Sequence, residues 1–175
     1  AAASVSSGQL FIDVVGAAGG TTTTWTFSGS GGIAEFDGSI RDVTNNTFSA
    51  FDTGQFEFGQ DNILDTGIQD QVFTLVGDAM VTVGGNTQSI AGIFLDDDGG
   101  SADDLGIRAD TQLDYLAGDT ASWTGSGVAN VSIDAFVLGT FSLNDALGQA
   151  IFIADDVQVT FRIPTPGAAA LAGIA

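Results

Sequence analysis

Cysteine, histidine and lysine are absent from this sequence, proline occurs twice, and the 22 acids include only two glutamates, Glu35 and Glu57. Without His, Cys or Lys there is no Ser-His-Asp triad, Cys-His nucleophile, Schiff-base lysine, zinc site of the usual ligands or Walker-type phosphate loop. The shortage of cations excludes a polyanionic partner as well. Arg41, Arg108 and Arg162 are the only three and lie far apart in the sequence, whereas nucleic-acid binding takes clustered Lys and Arg. With no thiol there is no disulfide, so cysteine usage does not assign a redox compartment. The near-absence of Glu, a better helix former than Asp, and the presence of 25 glycines exclude a largely helical fold.

What remains is a chain of 175 residues with 44% hydrophobic residues, 13 of them Phe, and a formal charge of −19. Its length suits one domain, and its apolar content argues for a folded core despite the charge. Short alternating or β-branched and aromatic segments recur between Gly-, Ser- and Asp-rich breaks. They predict strands over 9–15, 21–28, 47–51, 55–58, 72–76, 79–83, 88–95, 120–124, 128–133, 136–143 and 157–163. The expected fold is all-β: an antiparallel, jelly-roll-like sandwich of about ten short strands with few or no helices, and a single helical turn at 144–150. The clearest hairpin joins Ala79–Val83 to Gln88–Ile93 through Gly84-Gly85-Asn86. Trp25 and Phe27, Phe56 and Phe58, and Phe73 and Leu75 are expected to alternate inward. In the first strand Leu10, Ile12 and Val14 alternate against Phe11, Asp13 and Val15. The expected domain spans 1–163, and 164–175 forms an apolar tail.

Ala1-Ala2-Ala3-Ser4 is the small-residue type of sequence found around signal-peptide cleavage, which fits the mature form of an exported protein. At the other end, Ile163-Pro164-Thr165-Pro166 leads into an Ala- and Gly-rich stretch containing Leu171 and Ile174. This stretch resembles the PEP-CTERM sorting signal of exported bacterial proteins: an Ile/Val-Pro-Glu/Thr-Pro step, an Ala/Leu/Gly-rich membrane span, and a basic cluster. Residues 163–166 match the first element and 167–175 the start of the second, which at nine residues is shorter than the roughly 20 needed to cross a bilayer. No basic cluster follows. The resemblance implies export, recognition by a membrane-embedded processing enzyme, and delivery to the cell surface or extracellular matrix.

The densest chemical feature is Asp96, Asp97, Asp98, Asp103 and Asp104, five carboxylates within nine residues. Such crowding fits Ca²⁺, which takes six to eight oxygens from flexible Asp and backbone ligands. The stretch is not an EF-hand, because Ser101 stands where the invariant Gly belongs and Ile107 where the bidentate Glu belongs. Asp110, Asp114 and Asp119 lie close enough in sequence to contribute. Phe51-Asp52-Thr53-Gly54 and Leu64-Asp65-Thr66-Gly67 are similar to the catalytic loop of aspartic proteases. That chemistry needs two facing aspartates from two lobes or two subunits, and 13 residues do not separate two lobes, so both read as turns. A carboxylate-only glycosidase would need one acid held protonated against an apolar wall, whereas most acids here sit among Gly and Ser. Trp25, Trp123 and Tyr115 are read as core residues rather than a sugar-stacking platform.

The sequence therefore points to a secreted, non-enzymatic structural protein that self-assembles into an extracellular filament or matrix, stabilised by calcium. The residues assigned to assembly or sorting are Ile163, Pro164, Thr165, Pro166, Leu171 and Ile174. The alternatives are a calcium-dependent carbohydrate-binding module and, third, a carboxylate-only hydrolase.

Overall fold

The computed structural model describes residues 9–34, 37–40, 56–60, 63–65, 67–68, 71–97, 103–142 and 157–165. The first strand, β1 (Leu10–Gly16), follows its period-two pattern: Leu10, Ile12 and Val14 are buried, while Phe11, Asp13 and Val15 face the other way. In β2 (Thr23–Ile33), Trp25 and Phe27 point into the core as expected. Its indole N–H donates to the Thr23 hydroxyl at 2.8 Å, so the buried ring leaves no polar atom unmet.

The glycine run after Ser28, expected to end that strand, lies inside it. Gly29 and Gly31 have φ of 113° and 100°, which a β-carbon disfavours, and they bend β2 from one sheet into another. A β-carbon on Gly29 would collide with the Gln9 carbonyl. Glycine here is a bend within the strand rather than a break between strands.

The remaining strands are β3 (Gly38–Ile40), β4 (Phe56–Gln60), β5 (Gln71–Gly77), β6 (Met80–Val83), β7 (Asn86–Asp96), β8 (Asp103–Ala109), β9 (Leu113–Tyr115), β10 (Thr120–Thr124) and β11 (Ser126–Ala129). One turn of 3-10 helix follows at Ile133–Ala135, then β12 (Gly139–Ser142) and β13 (Val157–Arg162). The expected β6–β7 hairpin is present. Gly84 and Gly85, with φ of 57° and 84°, form its two-residue turn, and Val83 pairs with Asn86. Strands β3, β8 and β9 were not expected. The expected strand at 47–51 and helical turn at 144–150 lie outside the described residues.

Eleven strands join in one hydrogen-bonded network, in the order β10-β6-β7-β5-β11-β2-β1-β13-β12, with β8 attached to β7 and β4 to β8. Strand β10 also pairs with β2, so β2, β11, β5, β7, β6 and β10 close into a ring. Three of these strands pass between layers: β2 at its glycines, β5 between its β7-paired and β11-paired halves, and β7 near the register shift at Ile90 and Gly92. The all-β, sandwich-like architecture is thus as expected. Most ladders are antiparallel, and β1 pairs in parallel with β13, Leu10 opposite Val157. That parallel pair joins the start of the described chain to its last strand.

The core lies between the layers. Trp25 packs edge-on against Phe136 and Phe161, which stack at 4.5 Å between centroids, and Phe27 meets Trp123 edge-on. Burying each such ring contributes about 2–3 kcal/mol.

Candidate functional site

One side of the six-strand layer β5-β11-β2-β1-β13-β12 faces the core, and the other faces solvent. Register aligns the solvent-facing side chains in rows. One row runs Val76, Val128, Thr24, Val15 and Arg162. The next runs Ser126, Thr26, Asp13, Thr160 and Thr140, and a third runs Ser28, Phe11 and Gln158. These are β-branched and small hydroxyl residues, which suit a pleated surface. Several are apolar and open to water: Val76 is 72% exposed, Val128 43% and Phe11 38%.

Among the described residues three charges lie on this face: Arg162 and Asp13 neutralise each other, and Asp78, beside Ser126 at the β5 edge, accepts a hydrogen bond from the Ser126 N–H at 2.9 Å. The Arg162 guanidinium donates from Nε to Asp13 Oδ1 at 2.9 Å and from Nη2 to Asp13 Oδ2 at 2.7 Å, a bidentate pair across the β1–β13 ladder. The hydrogen bonds to Asp13, and then its charge, raise the arginine's pKa further. Beside the pair, the Thr140 and Thr160 hydroxyls lie 3.0 Å apart and share a hydrogen bond. On a chain of net charge −19, the middle of this layer thus presents a face with no net charge among the described residues, with Asp78 at its edge. Six strands spaced by about 4.8 Å, from four to seven residues long where they are widest in the layer, give an area on the order of 500 Å². That is somewhat below the roughly 800 Å² per partner of a standard protein interface.

No protein-family model, curated protein or solved structure matches the chain. The functional reading therefore rests on the molecule's own geometry.

The acidic stretch is more structured than expected. Asp103 and Asp104 belong to β8. Asp96 ends β7 opposite Asp104. Adjacent strand residues point to opposite sides, so Asp103 shares the core side with Leu105 and Leu95, while Asp96 shares the other side with Phe94. The buried Asp103 accepts a hydrogen bond from the Leu64 N–H at 2.7 Å. The half-buried Asp97 is tied through its own N–H to the Ile68 carbonyl at 2.6 Å. Asp98 lies outside the described residues. Among the described residues no three acidic side chains form a metal-binding group. Asp110 and Asp114 are exposed, and Asp119 instead accepts from the Leu116 N–H at 2.9 Å to fix a turn.

Trp25, Trp123 and Tyr115 are all core residues, at 0%, 3% and 2% exposure, so none offers a face to a sugar. Burial pushes the Tyr115 phenol well above its ordinary pKa. Of the tail, Ile163, Pro164 and Thr165 leave β13 exposed, and Pro166, Leu171 and Ile174 lie outside the described residues. The charge-poor face is not legible in the sequence because it exists only once β1 has found β13 and β2 has found β11. The one legible signal was the Thr- and Val-rich alternate positions of those strands.

Proposed function

We propose that this chain is a secreted structural protein whose copies associate through the charge-poor outer face of the β5-β11-β2-β1-β13-β12 layer, as the subunit of an extracellular filament, sheet or matrix. The observation that carries the reading is the contrast between that face and the rest of the molecule. Two copies with a charge of −19 each repel wherever acidic surfaces meet, and two such faces in contact avoid that cost while removing apolar and β-branched side chains from water. The likeness of Ile163-Pro164-Thr165-Pro166 to a sorting signal supports export, with a membrane-embedded processing enzyme as a second partner. Calcium enters as a counter-ion: bound by acids of the 96–104 stretch, it would lower the repulsion that limits association.

The test is to place a charge in the middle of the face. Val128 lies between Val76 and Thr24 and is open to water, so Val128→Asp leaves the core untouched and should shift stability by no more than about 0.5 kcal/mol. Sedimentation should show association of the native chain at moderate salt, its loss in Val128→Asp and its retention in Val128→Thr. Equal association in all three, with melting unchanged, would contradict the reading.

A further inference from the structure

Away from that face, segment 63–65 runs alongside 135–137. Asp65 N–H donates to the Ala135 carbonyl and Val137 N–H to the Ile63 carbonyl, both at 2.9 Å, with Leu64 paired to Phe136. The buried Asp103 carboxylate holds the Leu64 N–H and ties this segment to β8. Beside this pairing lies a cleft of about 480 Å³, lined by Asp65, Ile133, Asp134, Phe136, Val137 and Leu138. That volume falls within the range of small-ligand sites.

The lining combines four apolar residues with two acids; Ile133 and Phe136 are buried in the core, so the apolar surface open to the cleft comes from Val137 and Leu138. Leu138 stands 50% exposed at the cleft, a large apolar side chain with no cover among the described residues. Asp134 is held in place: its Oδ2 accepts from the Gly19 N–H at 2.7 Å and from the Ser132 hydroxyl at 3.3 Å. Asp65 is exposed, with its backbone pinned beside Ala135. Apolar walls beside fixed negative charge select a ligand with an apolar body and a positive end. The chain itself is poorly equipped to supply one. It has no lysine, Arg108 is buried, Arg162 is held by Asp13, and Arg41 lies outside the described residues.

We propose that this cleft binds an organic cation carrying a primary ammonium on an aliphatic stem, the chemistry shared by a lysine side chain and an aliphatic diamine. The stem lies against Val137 and Leu138, and the ammonium lies between the carboxylates of Asp65 and Asp134. The site is distinct from the association face and stands whether or not that face mediates assembly.

Because a chain this acidic attracts cations everywhere, the experiment must locate binding as well as detect it. The full chain is titrated with cadaverine and, separately, with an acetylated, amidated Leu-Lys dipeptide, while backbone amide shifts are followed by NMR; 1-pentanol serves as the neutral control. Saturable shifts confined to 63–65 and 133–138 are expected with at least one cation and not with pentanol. Preference for the dipeptide over the diamine would assign a protein partner's lysine, and the reverse a free amine. Asp65→Asn should weaken binding roughly five- to tenfold, the loss of one charge-assisted contact, whereas Asp110→Asn should leave it unchanged. Asp134→Asn keeps an acceptor for Gly19 and provides a second, folded variant with the same expectation. Shifts spread over all acidic surfaces, equal response to pentanol, or equal weakening by Asp65→Asn and Asp110→Asn would overturn the proposal.

Discussion

Tyr115 offers an unusually clean readout of how single side chains are held. It is the chain's one tyrosine, and there is no Lys, Cys or His whose ordinary titration would overlap with it. Its buried phenol has a pKa raised by desolvation above the ordinary 10.0. In the unfolded chain the phenol ionises near pH 10, whereas in the folded chain it stays neutral beyond that, so above pH 10 the unfolded state binds fewer protons. The Tyr115 contribution should therefore be level from neutral pH to about pH 9, and stability should fall as pH rises through and beyond 10. Denaturant melts across that range should show the decline in the native chain and a flattened profile in Tyr115→Phe; a decline of equal depth in both would place the alkaline sensitivity elsewhere. The burial of Tyr115, Trp25 and Trp123 was legible beforehand, because aromatics at alternate strand positions belong to a core. The role of Asp103 was not, because its acceptance of the Leu64 N–H joins residues 39 positions apart and no local pattern encodes it.

Among the elements, β2 shows how glycine can mislead. Ser28-Gly29-Ser30-Gly31-Gly32 has the composition of a loop, yet the strand runs through it because the chain must turn from its partner β1 toward β10 without breaking its ladder. Gly29 carries this bend, with positive φ and a carbonyl where a β-carbon would stand. Gly29→Ala should thus destabilise the fold by about 3 kcal/mol or more, combining backbone strain with displacement of the Gln9 carbonyl. Gly85→Ala provides the comparison, since that position has open space around it and only the backbone term applies. Thermal melts should rank the native chain above Gly85→Ala and Gly85→Ala above Gly29→Ala; equal losses would show that steric approach at Gly29 contributes nothing. Strand β8 was hidden for a different reason. Its leading residues, Asp103 and Asp104, continue an acidic run and mask a strand whose later residues are buried on both sides, where alternation disappears. The β6–β7 hairpin was legible because two glycines at a two-residue turn specify both register and hand.

For the whole molecule, strand content follows from composition, but closure depends on pairings that composition does not record. The parallel match of β1 with β13 and the return of β10 to β2 bring distant segments together, and only then do the solvent-facing rows align into a charge-poor face. Association through that face should grow as repulsion elsewhere is reduced. Light scattering should rise with salt, with calcium, and as pH falls toward the sequence pI of about 4.1, and should revert in dilute neutral buffer with chelator. Scattering that stays flat through all three titrations would mean that long-range repulsion does not govern association. The absence of native cysteine permits a more direct measurement of where copies meet. Thr26→Cys places one thiol in the central row of the face and Thr111→Cys places one on an exposed turn away from it. Maleimide labelling under associating and dispersing conditions then reports whether each site is covered. The account predicts that Cys at position 26 reacts fully when dispersed and is protected on association, while Cys at position 111 reacts equally in both. Equal reactivity of the two thiols in the associated state would contradict it.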